Sequence, residues 1–141
     1  MSPIAQMALG LMLLAMTVAL HAMAILVSIK PMYARLPTIG ALQRLVPQTL
    51  LIFLVVTGLS IMTLIEAAIW AVALGVLGAI PAFWDAYYFV LVAITTLGFG
   101  DVILAEDFRM LGGLCALAGL ISVGMTTAVL IEVLRALAPK A

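Results

Sequence analysis

Residues 94–102 read Ile-Thr-Thr-Leu-Gly-Phe-Gly-Asp-Val, a glycine-broken polar stretch inside a chain otherwise suited to lipid. Irregular backbone at membrane depth is tolerated only where protein buries it or where it lines a water-filled path, because lipid cannot satisfy N–H and C=O groups. Gly98 and Gly100 alternate with Leu97 and Phe99, so successive residues can take unusual φ/ψ values and turn neighbouring carbonyls the same way. Rings of such carbonyls replace the water shell of a dehydrated cation. The chemistry on offer is cation coordination by backbone oxygen. No residue set suggests catalysis, a bound cofactor or nucleotide use.

The rest of the chain must hold that stretch in a membrane. Of 141 residues, 67% are hydrophobic and 9% charged, with a mean hydropathy of +1.40. A soluble domain carries roughly 45–50% apolar and about 25% charged residues, so this is an integral membrane protein. A net charge of zero argues against nucleic acid as a partner. One cysteine, Cys115, permits no intrachain disulfide and no metal-ligand cluster. The uncharged run Met1 to Ile29 lacks the positive start of a cleaved signal peptide and exceeds its length, so it reads as a retained span.

Three stretches can cross a hydrocarbon core, which takes about 20 apolar residues. They run from about Ile4 to Ile29, Leu45 to Ile65 and Met110 to Ile131. The segment Phe83 to Leu97 is apolar and aromatic but too short to span, its helical part covering roughly 18 Å. Set before the glycines and between two spans, it reads as a re-entrant pore helix. Pro81 suits its start, and Asp85 lies in its first turn, where the helix dipole favours an anion. Ala67 to Ile80 either prolongs the second span or forms an interfacial turret helix, and Trp70 and Trp84 fit a headgroup-level aromatic belt. The division is residues 1–44, an N-terminal span and loop, and 45–141, a pore domain.

Lys30, Arg35 and Arg44 crowd the first loop, and Arg135 and Lys140 follow the third span. Asp85, Asp101, Glu106 and Asp107 outnumber Arg109 between residues 81 and 109. By the positive-inside rule the first loop and the C-terminus are cytoplasmic, the N-terminus is outside, and the short helix enters from the outer face.

Thr96-Leu97-Gly98-Phe99-Gly100-Asp101 resembles the potassium-channel selectivity filter T-V-G-Y-G-D, with Leu for Val and Phe for Tyr. The resemblance implies an all-α membrane protein with three transmembrane helices, a pore helix and a filter loop. The function it implies is passive potassium conduction by a homotetramer in a plasma membrane, in keeping with a small bacterial channel of the two-helix pore superfamily. Potassium would be the permeant ion, with self, lipid and monovalent cations as partners. It implies that Thr96 offers carbonyl and hydroxyl oxygens, with Thr96 also suited to capping the pore helix. Leu97, Gly98, Phe99 and Gly100 would offer carbonyls, with the Leu97 and Phe99 side chains turned away into packing. Asp101 would concentrate cations at the outer mouth, and Tyr88 and Phe89, with Tyr87, would support the filter. Val92 stands where some prokaryotic channels carry a glutamate braced against the following aspartate, so that brace is absent. A non-selective monovalent cation channel and a non-conducting scaffold or sensor are the alternatives.

Ala118 to Ala128 resembles the inner helix of the same channels. Gly119, 19 residues after Gly100, suits a gating hinge or close helix packing. Gly112, Gly113 and Gly124 suit packing, and Ser122 and Thr126 are candidates to line a cavity. An ionisable group inside a membrane is a functional hypothesis by default. Here these are His21, expected to bond a serine or threonine on another helix, and Glu66. Glu66 is placed at the outer end of span two and so out of reach of His21.

Overall fold

The computed structural model describes residues 1–35 and 45–137; Arg44 and Lys140 of the charge argument lie outside them. The described residues form four helices: α1 (Pro3–Arg35), α2 (Leu45–Val76), α3 (Phe83–Ile94) and α4 (Arg109–Leu137). A single 3₁₀ turn, Glu106–Phe108, leads into α4. Helix is the only spanning form a single open chain can take in lipid, since it closes its own backbone hydrogen bonds. Three of the helices are long and apolar enough to cross a membrane, and α3 is not. The fold is all-α, with a short helix and an irregular loop held between two spans.

The structure decides between the two shapes left open after Glu66 and keeps the expected start of the short helix at Phe83. Helix α2 runs through Glu66 for ten further residues to Val76, so the stretch after Glu66 prolongs the span. It ends at Gly78 (φ 71), whose neighbours Ala79 and Ile80 both donate to Leu74 O. Helix α3 begins at Phe83, with Ala82 as its N-cap, leaving Pro81 just outside.

Helices α1 and α4 lie side by side and run in the same direction. Gln6 Oε1 accepts the Met110 amide at 3.2 Å, and fifteen residues further on His21 meets Thr126. The Met110 N–H is one of the four that a helix start leaves without an intrahelical partner, so α1 caps α4. Gly10 sits where a Cβ would fall 3.2 Å from Leu114 Cβ.

Packing divides into two apolar layers. Toward the loop end, Leu13, Trp70, Leu74, Val90, Ile94, Leu111 and Cys115 bring all four helices together. Toward the other end, Ile25, Val55, Leu59, Val129 and Val133 join α1, α2 and α4. Lipid is as apolar as these side chains, so close packing and interhelical hydrogen bonds must hold them together. Between the layers lie the buried polar residues Thr17, His21, Glu66 and Ser122. Trp70 is 1% exposed and belongs to the core, whereas Trp84 is 75% exposed. Only the second of the two tryptophans is therefore free to sit in an interfacial belt.

Candidate functional site

The glycine-bearing loop begins with the way α3 stops. Thr95 is the C-cap, and its hydroxyl donates back to Leu91 O at 2.6 Å. The Thr96 amide then donates to Ala93 O and the Leu97 amide to Val92 O, each at 3.1 Å. This pair of bonds is a Schellman ending, which demands a left-handed residue just past the cap. Thr96 takes that conformation with φ 61, the only non-glycine among the described residues at positive φ. A β-branched residue there is a steric outlier, held at a cost of about 1–3 kcal/mol. Gly98 (φ 59) and Gly100 (φ 76) repeat the left-handed turn, while Leu97 and Phe99 between them do not. Peptide groups in such alternation direct their N–H groups to one side, and hence their carbonyls to the other.

The side chains of Leu97 and Phe99 are 58% and 64% exposed. The expected packing for them does not exist within one chain. Asp101 is exposed, and Tyr88 Oη donates to its Oδ2 at 2.7 Å. That bond holds the Asp101 carboxyl below the usual carboxylate range and pushes the Tyr88 phenol up. The glutamate brace is absent, as Val92 implies, and Tyr88 supplies a different brace to the aspartate from one helical turn earlier. Tyr87 donates to Leu64 O at 3.3 Å. Phe89 lies against Gly112, where a Cβ would come within 3.3 Å of its ring.

Gly119 is buried against the end of α3: a Cβ there would fall 2.6 Å from Ile94 Cα. Gly113 and Gly124 have nothing within 4 Å, so within one chain they do not serve the packing expected of them.

The largest departure from the sequence reading is the pairing of His21 with Glu66, while the bond expected from His21 to a threonine on another helix is present. His21 Nδ1 meets Glu66 Oε1 at 2.8 Å, and His21 Nε2 meets Thr126 Oγ1 at 2.9 Å. Ser122 Oγ donates to Glu66 Oε2 at 3.0 Å. Glu66 lies mid-bundle because α2 continues past it, so it and His21 share one level. Ser122, 1% exposed, turns into this cluster and not toward a cavity. Thr126 is committed to His21. A space about the size of one water adjoins the cluster, lined by Thr17, Thr63, Glu66, Trp70, Ile94 and Gly119 among others. Trp70 Nε1 is buried with no hydrogen-bond partner among the described residues. No local pattern announced the cluster; the one signal was two ionisable residues in apolar runs.

Three helices long and apolar enough to cross a membrane, set around a short helix and a loop with recurring positive φ, define a multi-pass membrane protein. An ion channel family model matches residues 50–136, which covers α3, the loop and nearly all of α2 and α4, and the chain belongs to that family. No curated protein and no solved structure matches it.

Proposed function

We propose that the chain is the subunit of a homotetrameric, passive, potassium-selective channel whose filter is Thr96-Leu97-Gly98-Phe99-Gly100. The observation that carries this reading is the left-handed conformation recurring at Thr96, Gly98 and Gly100 directly beyond the end of α3. Such a strand can aim a column of carbonyls to one side. One strand cannot surround an ion, and filters of this kind use four. The exposed Leu97 and Phe99 side chains are what neighbouring copies would cover, and the open faces of Gly113 and Gly124 suit close approach between helices. Four α3 helices would aim their negative dipole ends at the axis, where they favour a cation. Ions queue in the filter and displace one another, with Asp101 raising their concentration at the mouth. The charge pattern supports an outward-facing filter and a cytoplasmic C-terminus in a plasma membrane.

Purified protein in liposomes tests this. Opposed sodium and potassium gradients should give a reversal potential close to that of potassium, and Gly98→Ala should abolish flux. A reversal potential near zero makes the channel non-selective. Silence in verified tetramers favours a scaffold or sensor, and flux that survives Gly98→Ala detaches conduction from the loop.

A further inference from the structure

The family match begins at residue 50, so α1 lies wholly outside it. Even so, α1 supplies the central member of the buried polar cluster. We infer that His21 is a positioning residue of the pore: with Glu66 it forms a clasp that takes up one proton, and that proton alters the inner helix α4 through Thr126.

Both ring nitrogens of His21 are engaged and the side chain is 0% exposed. The carboxylate of Glu66 can only accept, so it takes one hydrogen from Nδ1 and one from Ser122 Oγ. Nδ1 is therefore the protonated nitrogen of the neutral ring, and Nε2 accepts from the Thr126 hydroxyl. A second proton on the ring turns Nε2 into a donor. Thr126 Oγ1 then becomes the acceptor, and its own hydrogen must find another partner.

Three other helical threonines show where that hydrogen can go. Thr17, Thr63 and Thr127 each donate to the carbonyl four residues earlier in their own helix. For Thr126 the equivalent acceptor is the carbonyl of Ser122. Back-bonding of this kind slightly destabilises a helix and often bends it. Proton uptake therefore reverses the hydrogen bond between α1 and α4 and turns the Thr126 hydrogen into α4 itself, two turns beyond Gly119, where α4 touches the end of α3.

The charges around the ring are few. From α2 only Glu66 faces it; α4 offers Ser122 and Thr126, both neutral. On α1 the nearest polar side chain is Thr17, whose hydroxyl is spent on Leu13 O and Leu14 O. The buried thiol of Cys115 lies two turns nearer the filter along α4, and Glu132 and Arg135 are exposed near the far end of that helix. One pair thus holds the exchangeable proton.

The link to conduction rests on the channel reading above; the clasp itself does not. His21 is the sole histidine of the chain, so ¹⁵N-histidine labelling of the full-length protein in lipid bilayers reports this ring alone. On acidification Nδ1 should stay protonated while Nε2 changes from acceptor to donor in one step. Potassium flux should step at the same pH, by roughly 5- to 150-fold, the usual range for coupling between distant sites. His21→Gln keeps hydrogen bonding on both sides without titrating, so its flux should persist without the step. The exchange His21→Glu with Glu66→His should restore one. A ring spectrum unchanged by pH, or a flux step that survives His21→Gln, overturns the inference. If the wild-type protein conducts nothing, the channel reading fails and the ring spectrum alone decides the clasp.

Discussion

Tyr88 Oη lies 2.7 Å from Asp101 Oδ2, so the middle of α3 is tied to the residue that follows the proposed filter. The bond lowers the Asp101 pKa and raises that of Tyr88. A depressed carboxyl contributes stability above its unfolded value and loses it as pH falls through the folded one. A raised phenol contributes below its unfolded value and loses it as pH rises through the folded one. The tie should therefore hold throughout the neutral range, breaking only in acid or strong alkali. Tyr88→Phe should move the Asp101 titration, read by carboxyl ¹³C shift, up toward the ordinary carboxylate value. It should also loosen the outer mouth, seen as faster loss of selectivity during sustained flux. An unmoved Asp101 midpoint would show that the bond does not set its charge.

Gly119 leaves no room for a side chain, since a Cβ would lie 2.6 Å from the Cα of Ile94. Backbone cannot step aside as a flexible side chain can. Gly119→Ala should therefore push α4 off the end of α3 and cost about 1–3 kcal/mol, the usual penalty of overpacking. Gly58, in α2 with nothing within 4 Å, is the control. There the same change should be neutral or stabilise by up to about 1 kcal/mol, because alanine suits a helix interior better. Thermal unfolding in detergent compares the two, and equal midpoints would mean that Gly119 is a hinge and no contact.

The spans were readable because a run of apolar residues long enough to cross lipid has few other uses, and the end of α3 because glycines follow it. Depth was not readable. By sequence Glu66 marks an interface, since a lone carboxylate wants water. A carboxylate with donors on two neighbouring helices does not need water, and those donors, His21 and Ser122, are 45 and 56 residues away. The same error of depth put Trp70 in the headgroups. Which face of α4 Ser122 presents depends on how α1 and α2 dock, and hydropathy is blind to that. The Tyr88–Asp101 tie joins residues 13 apart across the irregular loop, and no helical spacing predicts a contact of that kind.

Thr96 sits where a Schellman ending normally places glycine, with φ 61. Thr96→Gly relieves that strain, so the folded subunit should gain up to about 1 kcal/mol, part of the relief being offset by the greater freedom of glycine when unfolded. It also deletes the hydroxyl proposed to face the innermost ion. Stability and potassium flux should accordingly move in opposite directions, measured by thermal unfolding and by liposome efflux on the same preparation. If both fall together, threonine is there for packing and the strain has no functional meaning.

Ser122 separates two readings of α4. As a cavity-lining residue its hydroxyl would meet passing ions, and Ser122→Ala would change unit conductance while leaving the fold intact. Its observed partner is Glu66 Oε2, inside the subunit. Removing that donor leaves a buried carboxylate oxygen unsatisfied, at a cost of about 1–3 kcal/mol. Thr127→Ala is the matched comparison, because Thr127 is exposed and its hydroxyl donates to Val123 O of its own helix. That change should stay within about 0.5 kcal/mol. The expected result is a lower unfolding midpoint for Ser122→Ala alone, with unit conductance unchanged in the channels that remain folded. An altered conductance at unchanged midpoint would instead put Ser122 on the ion path and detach it from Glu66.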